Sequence, residues 1–170
     1  MRKLIAIALC LLGFLSSANG AELPVGPMLF KLGTSQASVM TEVAARFRVI
    51  PVTGSPDMFF LSDKNAPSAN VIGGISFKNG RLSWVQRNWG SFDGSARADE
   101  GAKALYSAIE SATTATGSSA SISTKINRVP GTEFRSTYFE FPGHKVSITV
   151  TDGDSTHGGK QVTVDESISQ

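Results

Sequence analysis

Apolar positions along the chain change period several times, and each change marks an element. In "KLGTSQASVMTEVAARF", Val39, Val43 and Phe47 recur at a spacing of four, with Met40 beside them. That is the stripe of a short amphipathic helix, about Ser35 to Arg46. Thr34 or Ser35 can cap it by accepting backbone N–H bonds. A strand is expected at Phe47 to Val52, confined to a sheet edge or a strand end by Pro51, which has no N–H to give. A short apolar run follows at 57–62, and 63–70 reads as loop. The segment before the helix, 21–31, holds two prolines and reads as a lead-in.

The run "GISFKNGRLSWVQRNWG" (74–90) is the clearest hairpin. Asn79-Gly80 suits a two-residue type I′ turn, which needs positive φ at both positions. That turn pairs Lys78 with Arg81, Phe77 with Leu82 and Ile75 with Trp84. Ile75, Phe77, Leu82 and Trp84 then share one face, and Val85, Arg87 and Trp89 point the other way.

After a linker at 90–95, Ala98, Ala102, Leu105, Tyr106, Ile109 and Ala112 outline a second helix over 96–113. Ser95 is its expected N-cap, with Asp99 and Glu100 in the positive first turns. Strands are expected at 123–129, 133–141, 145–152 and 158–167. In 133–141 the set holding Phe139 and Phe141 is the core choice, which leaves Tyr138 and Glu140 on the free face. Helix starts and hairpin landmarks repeat at similar intervals. The expected fold class is therefore α+β, a pseudo-repeat of two helix-plus-antiparallel-strand units (32–92 and 93–170) with helices on one face of a sheet.

The first twenty residues follow a different pattern. Arg2 and Lys3 precede an apolar run, Leu4 to Leu15, and small residues Ala18 and Gly20 precede Ala21. This is the plan of a cleaved secretory signal. The run is shorter than the ~20 residues a membrane span needs. The only cysteine, Cys10, lies inside it, so a mature chain has no disulfide, thiolate metal site or cysteine nucleophile. Two of the sixteen Lys and Arg also lie there, leaving fourteen against fourteen Asp and Glu. A balanced chain without a basic run gives no support for nucleic-acid binding.

Residues 32–82 carry a further pattern. Gly33, Ser35 and Val39 are followed by Ile75, Phe77, Gly80, Arg81 and Leu82 in the form apolar-x-Phe-x-x-Gly-Arg-apolar. This resembles the small periplasmic domain of the SmpA/OmlA (BamE) type. Tandem copies of a similar unit form the beta-lactamase-inhibitor-protein-like fold. The resemblance implies an envelope protein with a binding habit. The lipoprotein cysteine and the disulfides of those families have no counterpart here.

Candidate chemistry is sparse. Asp152, Asp154 and His157 share one glycine-rich loop but fall short of a calcium or zinc ligand set. His144 sits in a Pro-Gly turn and is expected at the surface. No nucleophile elbow or phosphate loop is present, so no catalytic residue, metal or cofactor is assigned. The expected function is a secreted, non-enzymatic binding or scaffold module of the bacterial envelope, periplasmic or extracellular, with another protein as partner. Its expected contact residues are Arg81, Val85, Arg87, Trp89 and Tyr138, because Trp and Arg most often dominate interface energy. Two alternatives stay open: a binder of a small apolar ligand, lipid or envelope polymer, in a pocket between helix and sheet or near 54–70, where Met58, Phe59 and Phe60 lie, and a secreted hydrolase.

Overall fold

The computed structural model describes residues 20–66, 70–93, 97–153 and 159–170. Ten strands and two helices follow one another as β1 (Glu22–Val25), β2 (Met28–Lys31), α1 (Gln36–Arg46), β3 (Phe47–Val52), β4 (Ser55–Asp63), β5 (Val71–Lys78), β6 (Arg81–Asp93), α2 (Ala98–Thr116), β7 (Ser121–Val129), β8 (Thr132–Phe141), β9 (His144–Gly153) and β10 (Lys160–Ser169). β1 and β2 form a small hairpin. The other eight strands form one antiparallel sheet in the order β3-β4-β5-β6-β10-β9-β8-β7.

That sheet corrects the expected architecture. The chain is mostly β, 60% strand and 22% helix among the described residues, and it is not two helix-plus-strand repeat units. β6 and β10 pair from Trp84↔Ser169 to Asp93↔Gln161, so both halves of the chain share one continuous ladder. The expectation failed because local periodicity reports elements, not which strands join. The strand at 57–62 is also longer than its apolar run, extending back to Ser55.

Local chemistry accounts for the turns. Ser35 caps α1, its Oγ accepting from Ser38 N–H at 3.3 Å. Asn79 (φ 53°) and Gly80 (φ 68°) both take the left-handed conformation of the type I′ turn. Ser95, the expected cap of α2, lies outside the described residues. Arg97 occupies the cap position without a side-chain cap bond, and Gly117 ends the helix at φ 63°.

The lead-in segment is not a passive one. Leu23, Val25, Met28 and Phe30 are buried and alternate inward from β1 and β2. They share a core with Val39 and Val43 of α1, Phe47, Leu61, Ile75, Phe77, Leu82, Val85 and Ile168. A second core gathers Phe92, Phe141, Val146 and Val164 against Ala108 and Ala112 of α2. Gly101, not Ala102, is the buried residue at the start of that helix, and Tyr106 is 72% exposed, so its stripe is rotated from the expected one.

Both cores lie on the same side of the sheet. Val85 belongs to the first and Arg87 reaches α2, yet these residues alternate along one strand face. On β10, Ile168 packs in the first core, Val164 in the second, and Glu166 sits between them. The hairpin, α1 and α2 therefore cover one face, and the opposite face carries no described element.

Candidate functional site

Of the four register shifts among the described strands, one lies at the β3–β4 end, between Pro51↔Phe59 and Val52↔Ser55, and the other three decide which side chains reach which face. In β5–β6 the pairs run Lys78↔Arg81, Phe77↔Leu82, then Ser76↔Trp84 and Ile75↔Val85. Ser83 is the extra residue. In β6–β10, Gly90 pairs with Val164 and Asn88 with Asp165, so Trp89 is extra. In β4–β5, Ile72 is extra between Leu61↔Gly73 and Ser62↔Val71. A bulge adds one residue to one strand and resets its alternation.

The Ser83 bulge reverses the expected faces. Val85 joins Ile75, Phe77 and Leu82 in the core at 0% exposure, and Trp84 moves to the open face. Arg87 and Trp89 follow Val85 onto the covered side. There Glu166, fully buried, accepts from Arg87 Nη2 at 2.5 Å and from Trp89 Nε1 at 3.0 Å. Ser111 of α2 donates to its second oxygen at 3.2 Å and accepts from Arg87 at 3.0 Å. The Arg87 guanidinium lies 4.0 Å from the centre of the Trp89 ring. This is a charge-compensated knot between the two cores, in which Glu166 is fully buried, Arg87, Trp89 and Ser111 each keep a partly exposed edge, and Arg87 Nε is buried without a partner among the described residues.

His144 belongs near the same knot. The expected surface histidine is 7% exposed, and its Nε2 has no partner among the described residues. It faces inward because β9 begins at His144 itself, in alternation with Val146, and pairs with Ile168. Burial pushes its imidazole below the usual value near 6.5. Arg87 pushes the same way, and Glu166 opposes. A depressed folded value contributes stability above pH ~6.5 that is lost as pH falls through the folded value. The urea midpoint of the wild type should drop between pH 7 and 5.5, and a His144→Gln variant should lack that part of the slope. Parallel curves for the two proteins would contradict it.

The open face has its own order. Ile50 pairs with Phe60, Phe60 with Gly74, and Gly74 with Gln86. Met58 pairs with Ser76, and Ser76 with Trp84. The Trp84 ring lies over Gly74, where an added Cβ would be 3.1 Å from Cζ3. The missing side chain thus lets an aromatic ring lie down on the sheet. Ile50, Met58, Phe60 and Trp84 make a half-exposed apolar island over β3 to β6.

Polar residues follow across β10 to β7. Asn88 donates to Asp165 at 3.1 Å. Burial holds the Asp165 carboxyl above the usual carboxylate range, against the opposing hydrogen bonds of Gln86 and Asn88. Ser136 and Thr149 share a hydrogen bond of 2.9 Å. Tyr138 lies on this face, with Lys145 Nζ 4.1 Å from its ring centre and bridged to Glu140 at 3.3 Å.

Of the five expected contact residues, Tyr138 is on the open face. Val85 is core, and Arg87 and Trp89 are in the buried knot. Arg81 is exposed at the hairpin end, but its Nη1 holds the Gly33 carbonyl at 2.8 Å and ties the turn to the chain before α1. Asp154 and His157 lie outside the described residues. Trp84 and Glu166 were the residues missed. The signals for them were Gly73-Gly74, which marks close approach within a strand, and the period-two run Val162, Val164, Glu166, Ile168.

Among the described residues, no three His, Cys, Asp or Glu side chains gather as metal ligands would, and no helix is long and apolar enough to cross a membrane. Comparison with family models, curated proteins and solved structures gives no match.

Proposed function

We propose that the chain is an exported, non-enzymatic binding module of the bacterial envelope that holds another protein on the open face of its sheet. The observation that carries this reading is the distribution of cover. The hairpin and both helices pack on one side, and the other side presents Ile50, Met58, Phe60 and Trp84 beside a hydroxyl- and amide-rich field. Interfaces favour that anatomy, an aromatic centre with a polar surround. Trp84 is laid flat over Gly74 and so loses little further freedom on contact.

Export is supported by the sequence of residues 1–20 and by where the described elements lie. The Ala21 carbonyl already accepts from Leu32 N–H at 3.0 Å, so a cut before Ala21 keeps every described element. The resemblance to small periplasmic domains points to the same compartment.

A photo-crosslinking residue placed at Gln86, in cells, tests the reading. We expect adducts of one or a few defined masses, lost in a Phe60→Ala/Trp84→Ala background. The same probe at Glu110, on the solvent side of α2, should give none of them. Identical adducts from both positions, or adducts unchanged by the double substitution, would remove the open face as the site.

A further inference from the structure

The sheet ends in two unlike edges. β3 is six residues long, carries Pro51, and follows directly from α1. Such an edge is blunted against further pairing. β7 at the other end is nine residues long without Pro or Gly, and every residue in it is exposed. Its outer ladder pairs with nothing among the described residues. Ile122, Ile126 and Val129 are 66%, 57% and 48% exposed. A long, β-branched free edge is a template for one more strand.

The order of residues in β7 selects the strand that fits. Ile122 pairs with Phe139 of β8, and Phe139 packs against the core beneath α2. Ile122, Thr124 and Ile126 therefore lie on the covered side of the sheet, beyond the reach of α2. Ser121, Ser123, Lys125 and Asn127 lie on the open side. A second antiparallel β7 related by a two-fold axis at Thr124 sets Ile122 opposite Ile126 twice. It also sets Lys125 opposite Ser123, Ser121 opposite Asn127, and Arg128 opposite Ala120. Moving the axis one residue, to Lys125, sets two lysines face to face and Ile122 opposite Arg128. Like charges directly opposite destabilise a ladder, and paired β-branched residues stabilise it. The remaining cations add no conflict, since Arg128 and Arg135 both bind Glu133 within the subunit.

We infer that β7 is the interface between two copies of this chain, paired antiparallel about Thr124 into a sixteen-stranded sheet. The four isoleucines form one apolar cluster across the seam, continuous with Phe139 of each copy. The contact is isologous, the commonest arrangement for a homodimer. The open face of each copy stays free, so the dimer presents two copies of it side by side.

A chain without residues 1–20 has no cysteine, which makes the register testable by single introduced thiols. In the proposed register Thr124 faces its own counterpart with Cα atoms about 4.5–5.5 Å apart, within disulfide reach. Lys125 is displaced by two residues from its counterpart, roughly 8 Å or more, beyond that reach. Residues 21–170 should sediment as a dimer at tens of micromolar. Thr124→Cys should form a covalent dimer under mild oxidation, and Lys125→Cys and Gln86→Cys should not. An Ile122→Lys/Ile126→Lys variant should weaken the dimer at least tenfold, with an unchanged circular dichroism spectrum as proof of folding. A monomer at every concentration would overturn the proposal. So would a dimer crosslinked through Gln86 or Lys125 but not Thr124. The same monomer result, with partner adducts still obtained from Gln86, would leave open-face binding standing and overturn only the pairing of β7.

Discussion

Arg87→Met should cost more stability than any single change on the open face, about 3–5 kcal/mol at pH 7, the usual penalty for removing one partner of a buried ion pair. The asymmetry within the pair gives the test its discrimination. Glu166 has no exposed side-chain surface, whereas Arg87 keeps 18% of its own. Without Arg87, a carboxylate stays buried with Trp89 and Ser111 as its only donors. Without Glu166, the guanidinium can turn toward solvent along its exposed edge. Glu166→Leu should therefore cost less than Arg87→Met. The double variant should recover most of the loss, because an apolar pair of similar volume is often neutral or stabilising there. Urea midpoints of the four proteins complete the cycle. Additive losses would mean that the two groups do not act as a unit.

What the pair contributes beyond energy follows from its position. It lies on the seam between the core beneath the hairpin and α1 and the core beneath α2. Apolar residues there could pack in several ways, but the fork of Arg87 meets Glu166 in one geometry. The knot thereby fixes α2, through Ser111, against β6 and β10. Sequence reading reached part of this. The α1 stripe, the Asn79-Gly80 turn and most strand spans were legible, because each depends on residues within a few positions. The side of the sheet occupied by each residue of β6 was not legible. Alternation carries across a strand only while the ladder is regular, and β6 is interrupted at Ser83 and again at Trp89. Nothing in "RLSWVQRNWG" marks either bulge by residue type alone. The joining of β6 to β10 was also out of reach, since 66 residues lie between Asp93 and Lys160. Glu166 hid in plain alternation, because a charged residue is rarely fully buried unless it is paired, and its partner could be named only after the strands were joined.

The Ser83 bulge supplies the second large effect, in a comparison of two one-residue deletions three residues apart. Deleting Ser83 should be tolerated at a cost of about 1–2 kcal/mol, on the scale of one or two lost hydrogen bonds. Its Oγ donates to the Ser76 carbonyl at 3.2 Å and its carbonyl accepts from Gln170 at 3.1 Å. The pairs on either side, Phe77↔Leu82 and Ser76↔Trp84, already alternate correctly, so the deletion closes the ladder with every face unchanged. Deleting Gln86 does the opposite. Gln86 stands in a regular stretch between Gly74 and Ser167. Its loss forces a one-residue slip, which turns either Leu82 and Val85 to the wrong side or Arg87 away from its buried partner Glu166. Either outcome strips a core of several fully buried side chains or buries an unpaired charge. The combined cost exceeds the ~5–15 kcal/mol by which a domain is stable. The first deletion should give a cooperative thermal transition and a Trp84 probe as exposed as in the wild type, and the second should give no folded protein. Equal damage from both would mean that Ser83 is part of the regular ladder, and with it the assignment of Trp84 to the open face would fall.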